Sequence, residues 1–300
     1  MMSAVVEALC QSLSELSALE TLGIGTSDGY GLAADLGDSW SLPRLKIYDL
    51  TDSFAEAITR LIDVFDDNNI YRKLKLEEIH LTPAVAVVLI QLLSKLSALR
   101  TLKIKSWPEC SDEAVTRLID GINHKTLKDL ELSEMNLTSA VAEALGRSLP
   151  ELSSLETLRI SGSDGCNLQQ KEMEALFGRF SRPSSLTELS ITRFSARGSL
   201  GSIANNLCFF PSLKVLKLED LHMGEADLSD LLENLKFTPG LRHLYLMGNP
   251  LGHAVRSMIP YLLEQQELTY VCFQRGDCSE EDLKYVQEAV KEKQPQLIVG

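Results

Sequence analysis

The chain has 300 residues, 44% of them hydrophobic and 6% aromatic, with a formal net charge of -13 at pH 7. That acidic balance argues against nonspecific nucleic-acid binding by the whole surface. No apolar run is long enough to span a bilayer, and the opening Met1-Met2-Ser3-Ala4-Val5-Val6-Glu7 lacks the basic segment of a secretory leader.

A hydrophobic ladder recurs along the whole length. It opens at Leu19/Leu22/Ile24, Leu42/Leu45/Ile47 and Tyr71/Leu74/Leu76. It is clearest at Leu99-x-x-Leu102-x-Ile104, Leu127-x-x-Leu130-x-Leu132 and Leu155-x-x-Leu158-x-Ile160. It continues at Leu186/Leu189/Ile191, Leu213/Leu216/Leu218, Leu241/Leu244/Leu246 and Leu268/Val271/Phe273, and Leu297-Ile298-Val299 starts an eleventh copy. The fourth and sixth positions alternate with polar residues, the period-two signature of a strand with one buried face. Strands are therefore expected near 19–24, 42–47, 71–76, 99–104, 127–132, 155–160, 186–191, 213–218, 241–246 and 268–273. A step of about 28 residues excludes tight hairpins, so the strands must run parallel.

The connections have helical spacing. Ala140-Val141-Ala142-Glu143-Ala144-Leu145 is one, with Thr138 or Ser139 as its cap, and it recurs at Ala4–Leu9 and Ala84–Leu89. A second form, Ala57-Ile58-Thr59-Arg60-Leu61-Ile62-Asp63, recurs at Ala114–Asp120. The two forms interleave, so the first half repeats as a two-strand module of about 56 residues. A capped terminal helix is expected near 280–293. Strands inside and wider helices outside predict an α/β solenoid, a horseshoe of about ten repeats over residues 1–300 as a single domain. Its parallel β-sheet would form the concave face and its helices the convex face.

These repeats resemble the long leucine-rich repeats of the ribonuclease-inhibitor-like subclass. Leu241-x-x-Leu244-x-Leu246-x-x-Asn249 matches that pattern including its asparagine, whose side chain, by the resemblance, bonds backbone groups at the strand exit. Trp107, Met135, Ser163, Phe194 and Leu221 stand at the equivalent positions, so irregular turns are expected there. Stretches such as Leu152–Ile160 are similar to the C-terminal repeat region of NACHT-containing (NOD-like) innate immune receptors. No G-x-x-x-x-G-K-S/T loop is present. Starting inside a helix without a capping unit, the chain reads as a piece of a longer protein or as a module leaning on a partner.

The six cysteines, Cys10, Cys110, Cys166, Cys208, Cys272 and Cys278, form no C-x-x-C pair or end cluster, which fits reduced thiols in the cytoplasm. No metal-ligand spacing, cofactor motif or catalytic constellation emerges. His80 and His124 read as turn residues, and the glycines from Gly23 to Gly31 as a loop. The expected chemistry is non-enzymatic recognition. Third, fifth and seventh positions of each ladder copy face away from the core and define two candidate surfaces. One is a basic stripe, Arg44, Lys46, Tyr48, Lys73, Lys75, Lys103 and Lys105, edged by Trp107, with Arg159 two repeats on. Its bland counterpart is a solvated face neutralised by Glu77, Asp129 and Glu131. The other is an aromatic patch of His243, Tyr245, Met247 and Tyr270, with Val215 beside it.

Three functions fit. The first is the ligand-sensing or autoinhibitory region of a cytosolic NOD-like receptor, binding a microbial or host ligand or other domains of its own chain. The second is a free-standing module that occludes a protein partner, and the third a receptor for an anionic ligand at the lysine stripe. None involves a cofactor, a membrane or specific nucleic-acid recognition.

Overall fold

The computed structural model describes residues 21–24, 44–48, 71–77, 81–105, 110–122, 125–163, 165–196, 198–274, 276–291 and 296–299, with the backbone alone for 21–24 and 44–48. The helices expected at 4–9 and 57–63, the loop from Gly25 to Gly31, His80, Trp107 and His124 lie outside the described residues. The chain folds as two compact units, Met1–Glu134 and Met135–Gly300. Each is an α/β stack of leucine-rich-repeat type.

In the first unit five parallel strands pair in chain order: β1 (Thr21–Ile24), β2 (Arg44–Tyr48), β3 (Lys73–Glu77), β4 (Thr101–Lys105) and β5 (Asp129–Met135). Helices α1 (Pro83–Lys95) and α2 (Asp112–Asp120) fill the crossovers β3–β4 and β4–β5. In the second unit six parallel strands follow the same rule: β6 (Thr157–Gly162), β7 (Glu188–Thr192), β8 (Val215–Glu219), β9 (His243–Tyr245), β10 (Tyr270–Cys272) and β11 (Ile298–Val299). Its helices are α3 (Ser139–Ser148), α4 (Gln170–Phe177), α5 (Gly201–Asn206), α6 (Glu225–Asn234), α7 (Ile259–Glu264) and α8 (Glu280–Lys291). The expected terminal helix near 280–293 is α8, ending at Lys291.

From β3 to β10 the strands begin two residues after the first ladder leucine. That leucine sits in the turn before the strand. Leu99, Leu155, Leu213 and Leu241 each donate their N–H three residues back, to Leu96, Leu152, Phe210 and Thr238. All four are buried, so the residue closes the turn and fills the core. Leu102/Ile104, Leu158/Ile160 and Leu216/Leu218 then point into the layer between sheet and helices. Burying each such side chain contributes about 2 kcal/mol.

Helix starts in the first unit and at α3 use hydroxyl caps. Thr82, Ser111 and Thr138 accept from the N–H of Val85, Ala114 and Val141. Later in the second unit a different device appears at every second helix. Glu172, Asp227 and Asp282, the third residues of α4, α6 and α8, recur every 55 positions and are buried. Each reaches back to the preceding repeat. Glu172 accepts from the Ser139 hydroxyl and the Gln169 N–H. Asp227 accepts from Gly198, Leu200 and Gly224 N–H at 3.1, 3.4 and 3.2 Å. Asp282 takes Arg256 Nε, His253 Nδ1 at 2.8 Å and the Ser279 hydroxyl at 2.6 Å. A carboxylate in the first helical turn also complements the helix dipole. The two-repeat module inferred for the first half thus persists in the second, written in carboxylates.

Hydrogen bonds from Ser279 and His253, with the Arg256 charge, hold the Asp282 carboxyl well below the usual carboxylate range. A carboxylate stabilised this way contributes its stability above the ordinary carboxylate pKa. That contribution is lost as pH falls through the depressed value. Asp282→Asn is therefore expected to lower the melting temperature at neutral pH by several degrees and to flatten the acid limb of the stability curve, read by thermal scans from pH 7 to pH 3. An acid limb identical to that of the native chain would refute the linkage.

Four of the five described strand exits share one conformation, and the fifth, at Gly162, departs from it. Glu134, Arg193, Asp220 and Gly248, each seven residues after the first ladder leucine, share left-handed φ angles of 58°, 61°, 53° and 72°. Only one of the four is glycine, although a left-handed L-residue costs about 1 kcal/mol. At Gly248 a Cβ would lie 1.9 Å from Asp220 Oδ1, so the Asp220 carboxylate would have to move aside for any other residue. In the next position Met135, Phe194 and Leu221 bury apolar side chains where the ribonuclease-inhibitor-like pattern has asparagine. Asn249 keeps the role implied by that pattern. Its Oδ1 accepts from Leu221 and Met223 N–H, and its Nδ2 donates to the carbonyls of Leu218 and Leu246.

Candidate functional site

Both candidate surfaces lie on the face of the sheet opposite the helices, because alternation along each strand sends alternate side chains there. In the first unit the cross-strand rows are Arg44–Lys73–Thr101–Asp129, Lys46–Lys75–Lys103–Glu131 and Tyr48–Glu77–Lys105–Ser133. The register therefore aligns Lys46, Lys75 and Lys103 in adjacent strands, as the ladder predicts. The side chains of Arg44, Lys46 and Tyr48, and all of Trp107, lie outside the described residues.

Three of the four described lysines of the stripe have acidic neighbours. Lys75 Nζ is 2.6 Å from Glu77, Lys103 pairs with Glu131, and Lys105 lies 3.8 Å from Glu134. The Thr101 hydroxyl donates to Asp129 at 3.0 Å. Half-exposed pairs of this kind add little to stability, about 0–1 kcal/mol each. Their larger consequence is electrostatic, since an anionic ligand would compete with Glu77 and Glu131 for the ammonium groups.

In the second unit the rows are Thr157–Glu188–Val215–His243–Tyr270–Ile298 and Arg159–Ser190–Lys217–Tyr245–Cys272. Glu188 is the hub of the polar end. Arg159 grips it with two parallel bonds, Nε to Oε1 at 3.0 Å and Nη2 to Oε2 at 2.9 Å. Lys217 Nζ approaches Oε1 at 3.4 Å. Both long chains flank the small Ser190, which is buried although its position faces outward.

The other end is aromatic. The rings of His243 and Tyr245 meet edge-on at 6.3 Å, those of His243 and Tyr270 edge-on at 6.2 Å, and those of Tyr245 and Tyr270 tilted at 5.5 Å. These separations lie in the favourable range for ring pairs. Lys217 stands over the Tyr245 ring, 5.2 Å from its centre, and so joins the polar and aromatic ends. Val215 and Ile298 extend the row on either side, and Ile298 is 61% exposed. Met247 stands apart. It follows the end of β9, is half-buried, and its carbonyl accepts from Asp220 N–H.

The structure thus brings together three of the four residues of the aromatic patch and adds Lys217, Glu188 and Ile298. The first two stand on the outward face of the ladder. Ile298 belongs to the eleventh ladder copy, and a two-residue strand carries no periodicity to say which side chain faces outward.

Ser279, His253 and Asp282 have the residue types of a hydrolytic triad without its geometry. The serine hydroxyl donates to the carboxylate, not to the imidazole, and the carboxylate also receives Arg256. The group is a helix cap. Among the described residues no three His, Cys, Asp or Glu side chains are arranged to hold a metal ion, and the five described cysteines are free thiols. No described helix is long and apolar enough to cross a membrane.

Together the parallel ladder, the crossover helices and the open sheet face define the protein class as a leucine-rich-repeat-type solenoid fold. No protein-family model and no curated protein matches the chain. Among solved structures it is similar to one in the crystal structure of the Rad7 and Elc1 complex in yeast. The identity is 15%, 85% of this chain and 75% of that chain are covered, and the TM-score is 0.43.

Proposed function

We propose that the chain is a non-enzymatic recognition module that binds a protein partner on the open sheet face of its second unit. The observation that carries this reading is the solvent-facing cluster of His243, Tyr245 and Tyr270, mutually packed and flanked by Val215 and Ile298. Such rings offer large contact area with few rotamers to freeze, which suits them as anchors. The Arg159–Glu188–Lys217 network beside them supplies a polar rim.

The resemblance in sequence to NOD-like receptor repeats extends the proposal. The chain would be the ligand-sensing or autoinhibitory region of a longer cytosolic receptor. It would act by contacting one conformational state better than another, since a ligand shifts an equilibrium only by its differential affinity. The lysine stripe of the first unit is the lesser candidate, because Glu77, Glu131 and Glu134 already answer the charges of Lys75, Lys103 and Lys105.

The test is affinity capture quantified against a double variant. The native chain is expected to retain a stoichiometric protein that Tyr245→Ala/Tyr270→Ala loses at least about tenfold, as expected for removing two interface anchors. Equal retention by both chains, at equal folding by circular dichroism, would remove the aromatic face from the account.

A further inference from the structure

The aromatic face has a shape as well as a chemistry. Val215, His243, Tyr270 and Ile298 occupy one row across four adjacent strands, β8 to β11, in unbroken register. Tyr245 and Cys272 stand beside them in the next row. All six are at least partly exposed. Polar positions bound the stripe along its length. On the entry side lie exposed Lys214, Arg242 and Thr269, and on the exit side Glu219 and Gln274, with half-buried Met247 between them.

Sheet geometry sets the dimensions. Strands lie about 4.8 Å apart, so the row spans roughly 14 Å, and the second row is displaced by roughly 7 Å along the strands. A stripe this narrow does not hold the broad contact of about 800 Å² per partner made between two globular surfaces. It fits one segment laid across the strands, and its period selects the kind of segment. An extended chain presents a residue to one side about every 6.7 Å, and a polyproline helix about every 9 Å. Both fall out of step with the row. An α-helix presents one side every turn of about 5.4 Å, through positions i, i+4, i+7 and i+11. Over three intervals it drifts from the strands by roughly 2 Å, within the reach of a flexible apolar side chain.

We propose, resting on the reading of this face as a protein-binding surface, that its occupant is an amphipathic helix of the partner protein, about three turns long. The helix lies across β8 to β11 and sets one apolar residue over each of Val215, His243, Tyr270 and Ile298. Tyr245 and Cys272 flank its apolar side, and its polar side faces solvent.

The experiment selects two displayed peptide libraries of equal length on the 300-residue chain. One is built on a helix-stabilised scaffold, and the other is linear, with fixed prolines that forbid a helix. Binders that also bind Tyr245→Ala/Tyr270→Ala are discarded, and the affinity of the rest is read by fluorescence anisotropy. Tyrosine-dependent binders are expected from the helical library, with apolar residues at i, i+4, i+7 and i+11. Val215→Glu and Ile298→Glu, at opposite ends of the row, should each weaken such a binder about tenfold or more, as should a proline at the centre of the peptide. Gln274→Glu, off the row, should leave binding nearly unchanged, and circular dichroism checks the fold of each variant. Tyrosine-dependent binders from the linear library alone, or weakening from one end of the row only, would overturn the helix and leave the face a protein-binding surface. No tyrosine-dependent binder from either library would overturn both.

Discussion

Asn249→Leu is expected to cost about 4 kcal/mol of unfolding free energy, read as a shift in the urea midpoint without a change in slope. Leucine shares the branched shape of asparagine, though it is bulkier, and Leu221 occupies the equivalent place one repeat earlier. The loss is polar. Asn249 is fully buried and serves four backbone groups within 3.1 Å, the N–H of Leu221 and Met223 and the carbonyls of Leu218 and Leu246, with the Met247 carbonyl at 3.3 Å. Each buried group left unpaired costs about 1–3 kcal/mol, reduced where the turn relaxes to a new partner. A loss below about 1 kcal/mol would show that the turn satisfies itself and that the asparagine is dispensable.

Gly146→Ala is expected to cost about 3 kcal/mol for the addition of one methyl group. Gly146 lies in α3, where a Cβ would sit 1.9 Å from the Ala175 carbonyl oxygen of α4. The obstacle is backbone, so no rotamer change relieves it, and the two helices must separate. Their separation would also stretch the bond from Ser139 to Glu172, which ties the starts of the same helices. Glu143→Ala, on the exposed side of α3, is the matched control and should change stability by less than about 0.5 kcal/mol. Similar effects from both would mean that α3 and α4 are not in tight contact.

The fold was legible where it depends on hydrophobic spacing. Leu102 and Ile104, or Leu216 and Leu218, alternate with polar residues, and only a strand with one buried face makes sense of them. What escaped notice is polar and non-local. Glu172, Asp227 and Asp282 look like ordinary acids at helix starts. Their burial is decided by Ser139, Gly198, Leu200, His253 and Arg256, all in preceding repeats. The left-handed turns at Glu134, Arg193 and Asp220 carried no glycine signal. Irregular exits were expected because the asparagine is missing, yet the backbone repeats one conformation at four of the five described exits.

The candidate site was legible in the same uneven way. Alternation placed His243, Tyr245 and Tyr270 on the outward face, and parallel register then forces their rings together. It could not say that Lys75 and Lys103 fold toward Glu77 and Glu131, because that choice belongs to flexible side chains.

The central claim, that recognition occurs on the open sheet face of the second unit, is tested most directly by placing a photo-crosslinking amino acid at single positions. Tyr245 and Tyr270 probe the sheet face, and Glu143 and Ser229 the outward faces of α3 and α6. The account predicts one discrete adduct from the two sheet positions, competed by unlabelled native chain but not by Tyr245→Ala/Tyr270→Ala. Adducts from the helix positions alone, or competition by the double variant as strong as by the native chain, would contradict it.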